Sequence, residues 1–190
     1  MEIYLIRHTT PKIEKGICYG QTDLPLENSF QEEAERVIQN LPDAFDRIYS
    51  SPLIRCFKLA QLINPSQSIV ADSRLIEMNF GDWEMKKWDD INRDELHQWA
   101  QDFVNLPVPE GESFIQLNNR INHFMRELAK QDIKKVAIVT HAGVIRSFVI
   151  SVLGMPMENA FRISIDYGSI TKINLGSDNS NNSVAYLNKW

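Results

Sequence analysis

The sequence predicts an α/β domain of three layers, a mostly parallel central sheet with helices on both faces. Three observations predict it. Strand-like and helix-like segments alternate along the 190 residues. Val136, Ala137, Ile138 and Val139 form an unbroken apolar run, as in a strand covered on both faces. Ile3, Tyr4, Leu5 and Ile6 make a second such run near the N-terminus. There is no internal repeat and no linker long enough to divide the chain, so residues 1–190 read as one domain.

The elements follow in order. Residues 2–7 read as the first strand, and 12–27 as a loop marked by Gly16, Gly20 and Pro25. Residues 29–41 have helical composition, and Pro42 stops them. Residues 47–49 read as a short strand. Ser51 then reads as an N-cap, with Pro52 at the first position of a helix to residue 63. Residues 68–71 make another short strand. Residues 82–101 are acidic and tryptophan-bearing, and read as broken helix. Ser113 with Gln116 forms a capping box that opens a helix to residue 130. Residues 135–140 are the clearest strand, with a helix over 143–153 after it. Residues 162–165 and 169–175 read as strands, 176–182 as a polar turn, and 184–187 as the last strand.

Composition narrows the function. The chain is 43% hydrophobic and 24% charged, with a net charge of −5. That balance argues against a general nucleic-acid binder. It leaves room for an anionic small molecule, because a few local cations can hold one. Cys18 and Cys56 form no metal-spaced cluster, and two thiols suit a reducing compartment, although a disulfide stays open. Glu2 and Arg7 in the first apolar stretch do not fit a secretory signal. The stretch 144–155 is interrupted by Arg146 and Ser147 and is too short to span a bilayer. A cytoplasmic protein without membrane contact is expected.

In open α/β sheets, ligands bind at the carboxyl ends of the strands. The first strand ends in Arg7-His8, and the strand 135–140 is followed by His141. The strand 47–49 leads into Ser51-Pro52, with Arg55 about one turn into the next helix. Helical side chains lean toward the N-terminus, so Arg55 should aim back at the same edge. Two arginines, two histidines and two helix N-termini then converge where an anion could bind, with no metal required. A cation beside an imidazole disfavours its protonation, and a neutral imidazole is a nucleophile.

The remaining polar and aromatic residues have plainer readings. Trp83, Trp88 and Trp99 read as packing residues, His97 and His123 as ordinary helix residues, and Cys56 as a small buried one. The acidic run through Asp89, Asp90, Asp94 and Glu95 reads as a solvated face.

Four blocks carry a family resemblance: Arg7-His8, Ser51-Pro52-Leu53-Ile54-Arg55-Cys56, the run from Glu77 to Glu84, and the run from Thr140 to Arg146. In this order they resemble the histidine phosphatase superfamily, the phosphoglycerate-mutase-like proteins, over nearly the whole chain. The segment from Cys18 to Leu26 is similar to the α-ribazole-5′-phosphate phosphatases of cobalamin biosynthesis. Thr9 stands where the family usually has glycine, and Thr10 where an acidic residue is common. Ala142 replaces a frequent glycine beside His141, and Glu110-Gly111-Glu112-Ser113 replaces Gly-Gly-Glu-Ser.

The resemblance implies a phosphoglycerate-mutase-like fold and a metal-independent phosphomonoesterase without cofactor, hydrolysing α-ribazole 5′-phosphate to α-ribazole in cobalamin nucleotide-loop assembly. It implies His8 as the nucleophile that becomes phosphohistidine. Arg7, Arg55 and His141 would bind the phosphoryl oxygens, with Thr22 adding a contact. Glu77 would be the acid/base, entering as a protonated carboxyl beside the phosphate. Cys18, Tyr19, Gly20 and Gln21 would contact the substrate, and residues 82–112 would cover it. The expected partner is a small phosphate ester; a homodimer stays open. The alternatives are another sugar-phosphate or nucleotide phosphatase, a phosphoglycerate mutase, and an inactive phosphate-binding module. The short chain favours hydrolysis over the mutase, which must keep water from phosphohistidine.

Overall fold

In the computed structural model a six-stranded sheet runs in the order β3-β2-β4-β1-β5-β6. The strands are β1 (Glu2–Arg7), β2 (Arg47–Ser50), β3 (Ile69–Ala71), β4 (Lys135–Thr140), β5 (Ile170–Asn174) and β6 (Ser183–Lys189). The structure describes residues 1–176 and 181–190. Most of the turn expected over 176–182 therefore lies outside the described residues. Strands β3, β2, β4 and β1 are parallel, and β5 and β6 complete the sheet antiparallel to their neighbours.

Among the described residues the α-helices are α1 (Phe30–Gln39), α2 (Ile54–Ile63), α3 (Arg93–Gln101), α4 (Phe114–Leu128) and α5 (Ala142–Leu153). Successive strand residues point to opposite faces, and the core divides accordingly. Tyr4 and Ile6 pack with Ala34 and Val37 of α1 and with Leu59 and Ala60 of α2. Ile3 and Leu5 pack with Leu117 and Ile121 of α4 and with Val144 and Phe148 of α5. The outcome is the expected α/β/α sandwich. Ser113 starts α4 as expected, its N–H donating to Gln116 at 2.8 Å.

Two local expectations are corrected. Helix α2 starts at Ile54, not at Pro52, and its N-cap is Leu53. Ser51 caps nothing strongly: its hydroxyl lies 3.4 Å from the Leu53 amide and is spent on His141 instead. Residues 162–165 form no strand. A 3₁₀ turn, Met157–Arg162, runs into extended chain. Ile163 and Ile165 alternate because both are buried, but β1 already has β4 and β5 as neighbours. The carbonyls of Ile163 and Ile165 serve Arg146 and Arg7 instead of a ladder.

Candidate active site

The register of β1 and β4 places the two histidines. Arg7 pairs with Thr140, so His8 and His141 each follow one step beyond the paired strands. The His8 amide donates to the Thr140 carbonyl at 3.0 Å, and the Ser51 amide to Val139 at 3.0 Å. The imidazole rings meet edge to face with centroids 5.1 Å apart. The chain leaving β1 turns to the α1 face, and the chain leaving β4 turns to the α5 face. A crevice opens where neighbouring strands send their connections to opposite faces. Both histidines lie at that point.

His8 is buried, and its Nδ1 lies 2.7 Å from the Thr9 carbonyl. A carbonyl only accepts, so Nδ1 carries the proton and Nε2 holds the lone pair. Burial, then the Arg55 and Arg7 charges, hold the pKa of His8 well below the ordinary histidine value. His141 is held down in the same way, by burial first and then by His8, Arg55 and Arg7. Its Nε2 lies 2.8 Å from the Ser51 hydroxyl and 3.4 Å from the Cys56 sulfur.

Arg55 is 0% exposed. Its Nη2 donates to the Gly20 carbonyl at 2.5 Å and Nη1 to the Thr22 carbonyl at 2.8 Å. Arg7 donates from Nη1 to the Ile165 carbonyl at 2.6 Å, with its guanidinium carbon 3.7 Å from the Tyr167 ring centroid. The Nε–H groups of both arginines are buried without an acceptor in the protein. In folded proteins such groups are met by an ordered water or by a ligand.

Glu77 sits at the N-terminus of α5, where the helix dipole favours a carboxylate. It accepts from the Gly143 amide at 3.1 Å and from the Met78 amide at 2.9 Å. Residue 143 has to be glycine for this approach, because a β-carbon there would stand 2.3 Å from Glu77 Oε1. The α5 terminus thus meets Glu77, and the Ile54 amide of α2 meets Asp23 Oδ1 at 2.8 Å. At both helix starts an internal carboxylate takes an amide expected to face an anion.

The 18–22 segment seats Arg55. Gly20 approaches the Met78 carbonyl so closely that a β-carbon would stand 2.0 Å from it. Gln21 Nε2 donates to the Glu77 carbonyl at 3.0 Å. Thr22 donates from its hydroxyl and amide to Glu84. Cys18 is fully buried in the core and offers no surface to a ligand, contrary to its reading as a substrate contact; burial raises its pKa to about 12. Tyr19 hydrogen-bonds through its hydroxyl to Tyr167.

The structure therefore gathers Arg7, His8, Arg55 and His141 at one sheet edge, with Glu77 on the α5 side. Sequence reasoning missed Tyr167, whose ring lies 5.5 Å from that of His8. Strand β5 is antiparallel to β1, so its start, not its end, reaches the site. A search of strand ends passes over it. Glu84 was also missed. Burial pushes its pKa up, but hydrogen bonds from Thr22, Gln21 and Phe80 outweigh that and hold it below the ordinary value. Among the described residues no group of three His, Cys, Asp or Glu side chains could hold a metal ion. No helix there is long and apolar enough to cross a membrane.

A mostly parallel sheet whose strand ends bring two histidines against two arginines is the architecture of an enzyme acting on phosphate esters. A family model, the histidine phosphatase superfamily (branch 1), matches residues 3–188, and the chain belongs to that family. A curated relative from Hydrogenobacter thermophilus, named "Putative phosphoserine phosphatase 2", is 31% identical over 98% of this chain and 95% of its own length. The adenosylcobalamin/alpha-ribazole phosphatase of Escherichia coli is 28% identical over 92% of this chain and 90% of its own. The crystal structure of the alpha-ribazole phosphatase from Shigella flexneri superposes with a TM-score of 0.90 at 27% identity, covering 100% of this chain and 96% of the other.

Proposed function

We propose that this phosphatase hydrolyses a small phosphate monoester through a phosphohistidine at His8, using its own side chains. The observation that carries the reading is the neutral His8 ring, with its Nε2 lone pair, beside the buried Arg55 and the half-buried Arg7, whose buried Nε–H donors are both unmet. The phosphoryl oxygens would bridge Arg7, Arg55 and His141. His8 Nε2 attacks phosphorus as the P–O ester bond breaks. The leaving alkoxide takes the proton from Glu77. The Glu77 carboxylate then accepts a proton from water, the hydroxide attacks phosphorus, and the P–N bond breaks to release phosphate. Arginines pre-oriented by carbonyl bonds stabilise the spread charge without reorganising.

The alcohol is the open choice. The segment from Cys18 to Leu26 and the likeness to alpha-ribazole phosphatases support α-ribazole 5′-phosphate. The relative named for phosphoserine supports a small acid ester instead. Residues 82–112 would cover the alcohol on the Glu77 side. The test is a panel of α-ribazole 5′-phosphate, phosphoserine, phosphoglycerates, sugar phosphates and nucleotides, run with and without chelator. Hydrolysis that survives chelator is expected, with a phosphoryl adduct on His8 in quenched protein by mass spectrometry. Activity lost to chelator, or an adduct elsewhere, overturns the mechanism. Net transfer between phosphoglycerate positions, in place of release, would make the protein a mutase.

A further inference from the structure

The mechanism gives Arg146 no task, yet it is a mostly buried cation beside the acid. It lies one turn beyond Gly143 on α5. Its Nε donates to the Ile163 carbonyl at 3.0 Å, and its guanidinium carbon is 5.4 Å from the Phe161 ring centroid. Among the described residues it makes no ion pair, and its two Nη groups have no hydrogen-bond acceptor in the protein. It lines a narrow cleft with Glu77, Phe80, Phe114 and Phe161.

Resting on the hydrolytic reading above, we infer that Arg146 selects substrates whose alcohol carries a carboxylate. Three points support this. The cleft contains Glu77, so the part of the alcohol next to the oxygen that Glu77 would protonate lies at its mouth. A carboxylate two or three bonds from the ester oxygen is within reach. Second, a guanidinium with Nε already anchored presents its Nη pair as a planar fork, which matches a carboxylate in bidentate fashion. Third, the cleft holds about 40 Å³, against the ~10–15 Å³ that a water needs, so it has room for a carboxylate. Burial disfavours the charge on Arg146 and the facing Glu77 favours it. In the proposed first step Glu77 is the proton donor, and a neutral carboxyl would not repel the incoming carboxylate.

Matched esters test this. O-phosphoserine and O-phosphoethanolamine differ by a carboxylate; 3-phosphoglycerate and glycerol 3-phosphate differ by carboxylate against hydroxymethyl. The wild-type ratio of kcat/KM should favour the acid in both pairs by roughly 10- to 100-fold, the range of a hydrogen bond to a charged group. In Arg146→Met the ratio should collapse toward one, through KM. Arg146→Lys should restore part of it and covers the case of a poorly folding Met variant. A wild-type ratio near one, or a ratio unchanged in both variants, overturns the inference. So does an equal loss of inhibition by inorganic phosphate, which would put Arg146 on the phosphoryl group. Absence of turnover on all four esters and on p-nitrophenyl phosphate overturns the hydrolytic reading, and this inference with it. Turnover with an unchanged ratio overturns this inference alone.

Discussion

The floor of the site and its wall are built by opposite means. The floor is three adjacent strand ends, from β1, β4 and β2, in continuous hydrogen-bonded register. His8, Arg55 and His141 on it are almost fully buried. The wall, from Met78 to Glu112, has 3₁₀ turns, one short helix and long connections. It is held by aromatic edges and by carboxylates. Trp83 meets Trp99 at 5.6 Å and Trp88 at 6.3 Å between centroids, and Phe80 meets Trp88 at 5.8 Å. Glu84 and Glu112 take backbone amides that lack a ladder, from Gln21, Thr22 and Asn79. A ladder places a residue within tenths of an ångström through many weak bonds, which suits atoms that form and break bonds. A pinned wall can change shape through a few residues, which suits the choice of alcohol.

The comparison can be broken at the floor first. His8→Ala should lower kcat/KM on p-nitrophenyl phosphate by on the order of 10⁶-fold, about 8 kcal/mol in the barrier, with little change in Tm. Steady-state kinetics beside a thermal melt would check it. A tenfold loss would remove His8 from the chemistry.

Breaking the wall should look different. Trp83→Ala, at a residue only 2% exposed, should cost about 3–5 kcal/mol of stability. Denaturant titration measures that loss. In the folded fraction the penalty should fall on KM for bulky esters more than on kcat for p-nitrophenyl phosphate. Equal losses in both would mean that floor and wall are one unit.

The seam between the two regions is Gly143 against Glu77. Gly143→Ala should displace the Glu77 carboxylate, the flexible end of a side chain, from the α5 amide with little loss of stability. Loss of a positioned acid should lower kcat for poor leaving groups about 10²-fold or more, and less for nitrophenolate, which needs no proton. The ratio between an alkyl and a nitrophenyl ester reads this directly.

A pH dependence also belongs to the floor. His8 and His141 are held below the ordinary histidine value when folded. The unfolded chain binds protons near pH 6.5, so it takes up more protons than the folded one as pH falls below that value. The stability they contribute is complete above about pH 6.5 and is lost as pH falls toward their folded values. The slope should be about 1.4 kcal/mol per pH unit for each histidine. Urea titrations at several pH values should show the slope reduced by about one histidine's share in His141→Asn. A flat profile in the wild type would mean that both rings charge without cost.

Much of the floor was legible in the sequence. Val136–Val139 and Ile3–Ile6 announce buried parallel strands, and a polar residue just past such a run has to lie at the sheet edge. His8, His141 and Arg55 were found that way. The strand expected over 162–165 shows the limit. Alternating Ile163 and Ile165 signals burial, but pairing needs a vacant neighbour, and only the assembled sheet shows that β1 has none. Cys18 shows it again: a loop position that reads as a substrate contact is a core position, because the loop pairs with Met85 and Lys86.

The sequence by itself determined the class of fold and put Arg7, His8 and His141 at the sheet edge, because each follows from a local pattern of apolar runs and the residues that end them. Tertiary structure alone decided what surrounds them. It brought Tyr167 to Arg7 and His8 through an antiparallel strand, Glu77 to the start of α5 across 66 residues, and Arg146 to the cleft that Glu77 lines. Those contacts depend on strand register and on vacant hydrogen-bond donors distant in the chain, which no local periodicity encodes.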